Sequence, residues 1–186
     1  MPIKSKFFAS AILSLIAAFA INAAGQTDDG DPARSFYRLT DAAPAAFTAG
    51  EYERAQTLGV ELLAEAERWK ENWNYGNAVH AANLVLGRAS LIRGEMADAK
   101  KYLLAAGKTP GSPQLNTFGP DMLFAKEMLK KGEMETVLKY FELCSGFWGK
   151  KHSSLDAWKA AIEKNEEPDF GPNLRYFFPQ DPVTAR

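Results

Sequence analysis

One short pattern occurs three times in this chain and constrains its fold more than any other feature. The pattern is a glycine, a glutamate, a large residue, two mostly polar residues and a small or β-branched apolar residue. It begins at Gly50, Gly94 and Gly132, at spacings of about 40 residues. Glycine supplies the left-handed turn that ends a helix, and glutamate favours the start of the next one. The pattern therefore predicts about three helix-turn-helix units that pack side by side as a short α-solenoid.

The segments that flank these glycines have helical periodicity. Between Glu51 and Lys70, apolar residues recur at steps of three and four, which predicts one amphipathic helix. A short helix is expected from Thr40 or Asp41 to Gly50, because Pro44 should be tolerated only in a first turn. Further helices are predicted over residues 77–93, 95–106, 121–131, 133–148 and 154–165, with a loop over residues 108–120. Alternating β-branched runs are missing from the sequence, so we predict an all-α fold with a C-terminal helix and an extended tail.

The units resemble tetratricopeptide repeats. The middle unit matches best: Leu86 and Gly87 resemble the leucine-glycine pair of the family's first helix, Ala99 the small residue of its second helix, and Pro110 its terminating proline. The resemblance covers about residues 36–148 and departs from the usual period of about 34 residues at both junctions. Its nearest counterpart is a small family of exported bacterial proteins with degenerate repeats, which implies a binding scaffold and no particular activity.

The N-terminal segment differs in composition from the rest. Lys4 and Lys6 precede an apolar run that ends at Ile21, and small residues follow, which is typical of a secretory signal. The run is too short to span a bilayer comfortably, so we expect cleavage and no stable membrane anchor. The predicted organisation is a signal peptide (1–24), a flexible leader (25–34), a helical domain (35–167) and an aromatic-rich tail (168–186). The expected location is the periplasm or the exterior.

Composition excludes several function classes. The net charge of the 186-residue chain is -1, and loss of the signal makes it slightly more acidic, so a nucleic-acid partner is not expected. One cysteine and two histidines cannot build a cysteine-rich zinc site or an internal disulfide. No phosphate-binding loop is present, because Lys108 and Thr109 lack the required glycine spacing. We predict no metal and no cofactor.

A polar face on the third predicted helix is the first candidate site. Asn77, His80 and Asn83 could place a general base beside two amides, with Gln114 and Asn116 contributing from the loop. In the other interpretation, His80 and Asn83 pack against the second helix of their own unit and satisfy backbone groups there. Cys144 lies on an apolar helix face, which favours a buried thiol over a nucleophile.

The inner surface of the repeats is the second candidate site. The resemblance implies that this surface carries Leu84 and Arg88 from the middle unit and Met122, Lys126 and Leu129 from the third. Arg88 and Lys126 could hold a carboxylate of an extended peptide between apolar residues, or they could be ordinary surface cations.

Two function classes remain open. The leading one is an exported, noncatalytic module that binds a protein or peptide partner, with no catalytic residue. The alternative is a small envelope hydrolase or carbohydrate-active protein that uses His80 with the linker aromatics Trp73 and Tyr75. The tail carries four aromatic residues and is expected to pack on the repeats, with Leu115 and Phe118 pinning the loop.

Overall fold

The computed structural model describes residues 31–148, 154–174 and 177–178. The chain divides into two compact units, Met1–Asp31 and Pro32–Arg186, and the described residues after Asp31 belong to the second. The predicted signal peptide and most of the predicted leader lie outside the described residues.

The described part of the second unit is helical throughout, without a strand, which confirms the all-α prediction. Its eight α-helices are α1 (Arg34–Thr48), α2 (Tyr52–Ala66), α3 (Tyr75–Ile92), α4 (Met96–Gly107), α5 (Pro113–Phe118), α6 (Leu123–Lys130), α7 (Met134–Cys144) and α8 (Ser154–Glu163). The tail was expected to be extended, and its described part contains a 3-10 turn, Gly171–Leu174.

Most helices that follow one another in sequence also pack together. The α1 helix packs on α2 and α3, α3 packs on α2 and α4, and α7 packs on α4, α6 and α8. The α3 helix is the centre of this arrangement: every residue from Gly76 to Ser90 is buried except the half-buried Val79. Because α3 is enclosed by its neighbours, its polar side chains must find partners inside the protein.

The three repeated glycines end their helices in the same way. Gly50, Gly94 and Gly132 have φ values of 80°, 78° and 82°. In each turn the glutamate amide donates a hydrogen bond to a carbonyl five residues earlier: Glu51 to Ala46, Glu95 to Ser90 and Glu133 to Met128, at 3.0, 2.9 and 3.0 Å. The glycine amide donates three residues back. This pair of bonds is the Schellman motif, so the predicted turns are confirmed.

Pro44 lies inside α1, so the prediction that it marks a first turn is wrong. A proline inside a helix costs about 3 kcal/mol because it removes one backbone hydrogen bond and crowds the preceding turn. Buried residues on both sides of the proline, Phe36, Ala43 and Phe47, keep α1 against its neighbours. Tertiary packing therefore outweighs the local preference.

The loop over residues 108–120 contains a helix that was not predicted. Ser112 accepts a hydrogen bond from the Leu115 amide at 3.0 Å, and Pro113 occupies the first turn of α5. Leu115 is fully buried, as expected, but Phe118 is 62% exposed and does not pin the loop. Asn77 lies within α3 and does not cap it, because α3 begins at Tyr75.

Candidate functional site

His80 is sealed inside the protein, with an exposed fraction of 0%. Its Nδ1 lies 3.0 Å from the carbonyl oxygen of Ala106, and its Nε2 accepts a hydrogen bond from the Asp121 amide at 3.3 Å. Nδ1 is therefore the protonated nitrogen of a neutral ring. Burial lowers the pKa of His80 to about 4. Because backbone groups engage both ring nitrogens, His80 cannot serve as a general base, so this candidate role is wrong.

The structure brings together only two of the other predicted polar residues. The Asn77 amide donates to Gln114 Oε1 at 3.2 Å, and Asn77 Oδ1 accepts a bond from the Ser112 hydroxyl at 2.6 Å. Asn83 donates to the carbonyl of Val79 in its own helix, as in the packing interpretation. Asn116 is exposed. The predicted polar residues therefore do not form one site. Asn77 instead holds the loop in place through its bonds to Ser112 and Gln114.

Three residues of the predicted inner surface are buried. Leu84 and Met122 are both 0% exposed and belong to the main apolar core, and Arg88 is 2% exposed. The prediction that they line an open surface is wrong, because other parts of the chain cover them.

Arg88 forms a bidentate ion pair with a residue that sequence reasoning missed. Its Nε donates to Glu127 Oε2 at 2.8 Å, and its Nη2 donates to Oε1 at 2.5 Å. The Glu127 side chain is 17% exposed, so the pair is largely shielded from water. A bidentate fork of this kind is among the stronger charged contacts in proteins, and it neutralises the cation that was expected to bind a partner.

The guanidinium of Arg88 also contacts two aromatic rings, which pack edge-to-face on each other with their centres 5.8 Å apart. Its central carbon is 4.4 Å from the centre of the Phe47 ring and 4.5 Å from that of Phe178. Phe47 belongs to α1, whereas Phe178 belongs to the tail and is fully buried. The tail therefore supplies one of the two cation–π contacts of Arg88.

The neighbouring tail residue is held through its backbone. The amide of Phe177 donates to Asp121 Oδ2 at 3.0 Å, while Asp121 Oδ1 accepts from the Leu123 amide at 2.8 Å. The Phe177 ring lies 5.6 Å from the His80 ring. We call the surface formed by Phe47, His80, Arg88 and Asp121 the tail seat, because it receives the Phe177-Phe178 pair.

A second anchor holds the tail closer to α8. The Asn173 amide group donates to the carbonyls of Phe118 and Pro120, both at 2.9 Å. Phe170 is 1% exposed and packs edge-on against Trp158, whose indole N–H donates to the Asp169 carbonyl at 2.7 Å. The expectation that tail aromatics pack on the helices is confirmed for Phe170 and Phe178.

Lys126 and Leu129, the other two predicted inner-surface residues, line a surface depression with a volume of about 310 Å³. Lys126 forms an ion pair with Glu167 at 2.8 Å. The hydrogen bond from Lys126 lowers the pKa of Glu167. The remaining lining residues are Lys130, Met134, Ile162, Asn165, Glu166 and Pro168. Because its lining holds two lysines and two glutamates, this depression has no charge preference that would select a carboxylate.

Another depression, of about 330 Å³, lies where the connection between α2 and α3 meets the 108–113 loop. We call it the indole depression after Trp73, which is 52% exposed. Its lining consists of Lys70, Asn72, Trp73, Tyr75, Gly76, Pro110, Gly111, Ser112, Pro113 and Asn116. It contains both linker aromatics that the sequence singled out.

The chain has no match among family models, curated proteins or solved structures. Within residues 31–148, 154–174 and 177–178, no three acidic, histidine or cysteine side chains are grouped so as to hold a metal ion. In the same ranges, no helix combines the length and apolar character that a membrane crossing needs. Cys144 is buried, and burial raises the pKa of its thiol, as expected for a structural cysteine.

Sequence reasoning missed Asp121 and Glu127 because both act through residues distant in the chain. The predicted helix over residues 121–131 contains both residues, and no contact was predicted for either of them. The available signal was the position of Asp121 just after Pro120 and before an apolar run, which is typical of a side chain that bonds to backbone amides.

Proposed function

We propose that this protein is an exported, noncatalytic module that binds an extended peptide of a partner protein at the tail seat. The proposed scaffold is a short tetratricopeptide-like solenoid, with α1–α2, α3–α4 and α6–α7 as its three helix pairs. Three identical Schellman turns and the packing of α3 on the preceding pair support this scaffold. The α5 helix lies between the second and third pairs, and the connection over residues 67–74 lies between the first and second, which lengthens both spacings beyond about 34 residues.

The observation that carries the proposal is the docking of Phe177 and Phe178. The tail seat offers a carboxylate to a backbone amide, and it offers two distinct surfaces to two successive aromatic side chains. Extended peptides are commonly recognised through hydrogen bonds to their main chain together with surfaces that fit particular side chains. A partner peptide with two adjacent aromatic residues would satisfy the same groups.

The tail competes with such a partner because it belongs to the same chain. A tethered segment has an effective concentration of the order of mM, so a partner must be abundant or bind more tightly than the tail. In this proposal the tail keeps the seat filled and the aromatic surface away from water until the partner arrives. It also gives the experiment its design, since removing the two tail rings should open the seat.

We would prepare the full chain with the double substitution Phe177→Ala and Phe178→Ala. A fluorescent peptide with the sequence of residues 172–180 is then titrated with each protein, and its anisotropy is followed. We expect saturable binding to the double variant and at least tenfold weaker binding to the wild type, whose seat is filled. The same peptide with both phenylalanines replaced by alanine should bind neither protein.

Phe118→Ala is the matched control, because it also removes a phenylalanine ring but one that is 62% exposed. It should bind the peptide no better than the wild type. If the double variant does not fold, Phe178→Leu keeps most of the apolar volume and should show intermediate binding. If the double variant folds but does not bind the peptide, the Phe177 and Phe178 rings contribute only to core packing, and the proposal is wrong.

Export is a separate part of the proposal. The basic and apolar character of residues 1–24 supports it. N-terminal sequencing of the protein from the envelope or medium should begin at about residue 24 or 25. An intact Met1 on protein recovered from the cytoplasm would contradict export without affecting peptide binding.

A further inference from the structure

The side chain of Trp73 is far more exposed to water than those of Trp148 and Trp158. It is 52% exposed, whereas Trp148 and Trp158 are 5% and 6% exposed. One face of its indole is supported by the Tyr37 ring, with the ring centres 5.6 Å apart and an angle of 28° between the planes. Leaving so much aromatic surface in water is unfavourable, and a large apolar group exposed at a depression marks a binding site more often than an isolated surface residue does.

We propose that the indole depression binds a neutral, β-linked oligosaccharide, with one sugar ring stacked on Trp73. This inference concerns a surface separate from the tail seat and does not depend on peptide binding. Pyranose rings whose substituents are all equatorial present a flat face of axial C–H groups. A flat apolar face of that kind complements an exposed indole, and the hydroxyl groups at its edge require hydrogen-bond partners.

The charge of the depression favours a neutral ligand. Lys70 is the lining residue with a full charge, and its ammonium lies 2.7 Å from Glu67. That carboxylate offsets the positive charge close to its source. The lining therefore has no surplus charge to hold a phosphate, a carboxylate or a cation.

The amides of the depression suit hydroxyl groups. Two hydrogen bonds orient the Asn72 side chain. Its Nδ2 donates to the Tyr37 hydroxyl, and its Oδ1 accepts from the backbone N–H of Asn74, both at 2.9 Å. That oxygen has a second lone pair, and the exposed Asn116 also lines the depression. An amide both donates and accepts, as a hydroxyl does, whereas the carbonyls of a proline-rich peptide only accept. This match favours a saccharide over a polyproline peptide.

The floor of the depression is rigid before any ligand arrives. The Thr109 hydroxyl donates to the Gly76 carbonyl at 2.8 Å. The main chains of Gly76 and Gly111 approach so closely that a Cβ on Gly76 would overlap the Gly111 carbonyl. The hydrogen bonds from Asn77 of α3 to Ser112 and Gln114, described above, hold the loop against that helix. Because these groups are ordered in the free protein, binding carries no further entropic cost for ordering them.

Saturation-transfer NMR tests the proposal. It does not depend on the fluorescence of Trp73, which the Trp73→Ala variant lacks. The full chain is mixed with a β-1,4-linked tetramer of N-acetylglucosamine or with an α-1,4-linked glucose tetramer. We expect transfer to the ring protons of the β-linked sugar, with a Kd on the order of 1 mM or tighter, and at least tenfold weaker binding of the α-linked one. Trp73→Ala should reduce binding at least tenfold, and Trp73→Phe should retain part of it.

Asn116→Ala should weaken binding several-fold at an unchanged melting temperature, and it keeps the test decisive if Trp73→Ala fails to fold. Phe118→Ala, which removes another exposed aromatic ring, should leave binding unchanged. Equal transfer to wild type and Trp73→Ala, or none to wild type, would overturn the proposal. Binding of a proline-rich decapeptide in place of either sugar would overturn it as well and would identify the depression as a peptide site.

Discussion

Protonation of His80 should destabilise the protein well before general acid unfolding. In the folded protein the ring is fully buried, its pKa is lowered from 6.5 to about 4, and Nε2 accepts from the Asp121 amide. A proton on Nε2 would place two donors against each other. The unfolded chain has no such restriction, so its His80 binds a proton near pH 6.5.

The sign and size of the effect follow from this difference. Between pH 6.5 and about 4 the unfolded state binds more protons than the folded state, so stability falls as the pH is lowered through this range. The full difference corresponds to about 3 kcal/mol, of which about 2 kcal/mol is lost between pH 7.5 and pH 5. That is a large part of the roughly 5–15 kcal/mol that stabilises a typical domain.

Urea denaturation at a series of pH values measures this loss. With a urea dependence of about 2 kcal/mol per molar, the midpoint should fall by about 1 M between pH 7.5 and pH 5. Carboxylates contribute little in this range because their ordinary pKa values lie near 4.

His80→Gln removes the titrating group, so its midpoint should vary much less with pH even if it is lower throughout. His152→Gln is the matched control, since His152 is the chain's only other histidine. The reasoning would be refuted by an equal pH dependence in wild type and His80→Gln, or by a flat profile in the wild type.

Three further predictions concern stability and reactivity. Gly87→Ala should destabilise by about 1–3 kcal/mol in urea denaturation, because a Cβ there would lie 2.7 Å from Cζ of Phe124; an unchanged midpoint would contradict the packing of α3 on α6. Arg88→Met should destabilise by roughly 3 kcal/mol because it leaves Glu127 unpaired, and adding Glu127→Leu should recover part of this loss; an additive double variant would show that the pair is not coupled. Cys144 should react with a thiol reagent only as fast as the protein unfolds, and rapid modification of the folded protein would contradict its burial.

The helix pairs could be predicted from sequence because their signals are local. An apolar stripe at helical spacing and a glycine turn each depend on a few adjacent residues. The positive φ values of Gly50, Gly94 and Gly132 confirm the predicted turns. The α5 helix had an equally local signal, the cap Ser112 followed by Pro113, but the density of prolines and glycines around it favoured a loop.

The candidate sites were harder to predict because they depend on contacts between distant residues. Arg88 has the sequence environment of an exposed helix cation, and nothing near it in the chain indicates that Glu127 and Phe178 cover it. His80 likewise depends on Ala106 and Asp121, which come from two other parts of the fold. Periodicity identifies the face of a helix, but it does not identify what packs on that face.

The three glycine turns are self-contained, and this has a consequence for engineering. Each turn satisfies its backbone groups from its own helix ends, and among the described residues nothing beyond the turn itself comes within 4 Å of where a Cβ would stand at Gly50, Gly94 or Gly132. Such a turn can be transplanted into a designed array without adapting its surroundings. The order in which helix pairs assemble must then be encoded in the interfaces between helices, and a designer who wants to add or exchange a pair has only those interfaces to redesign.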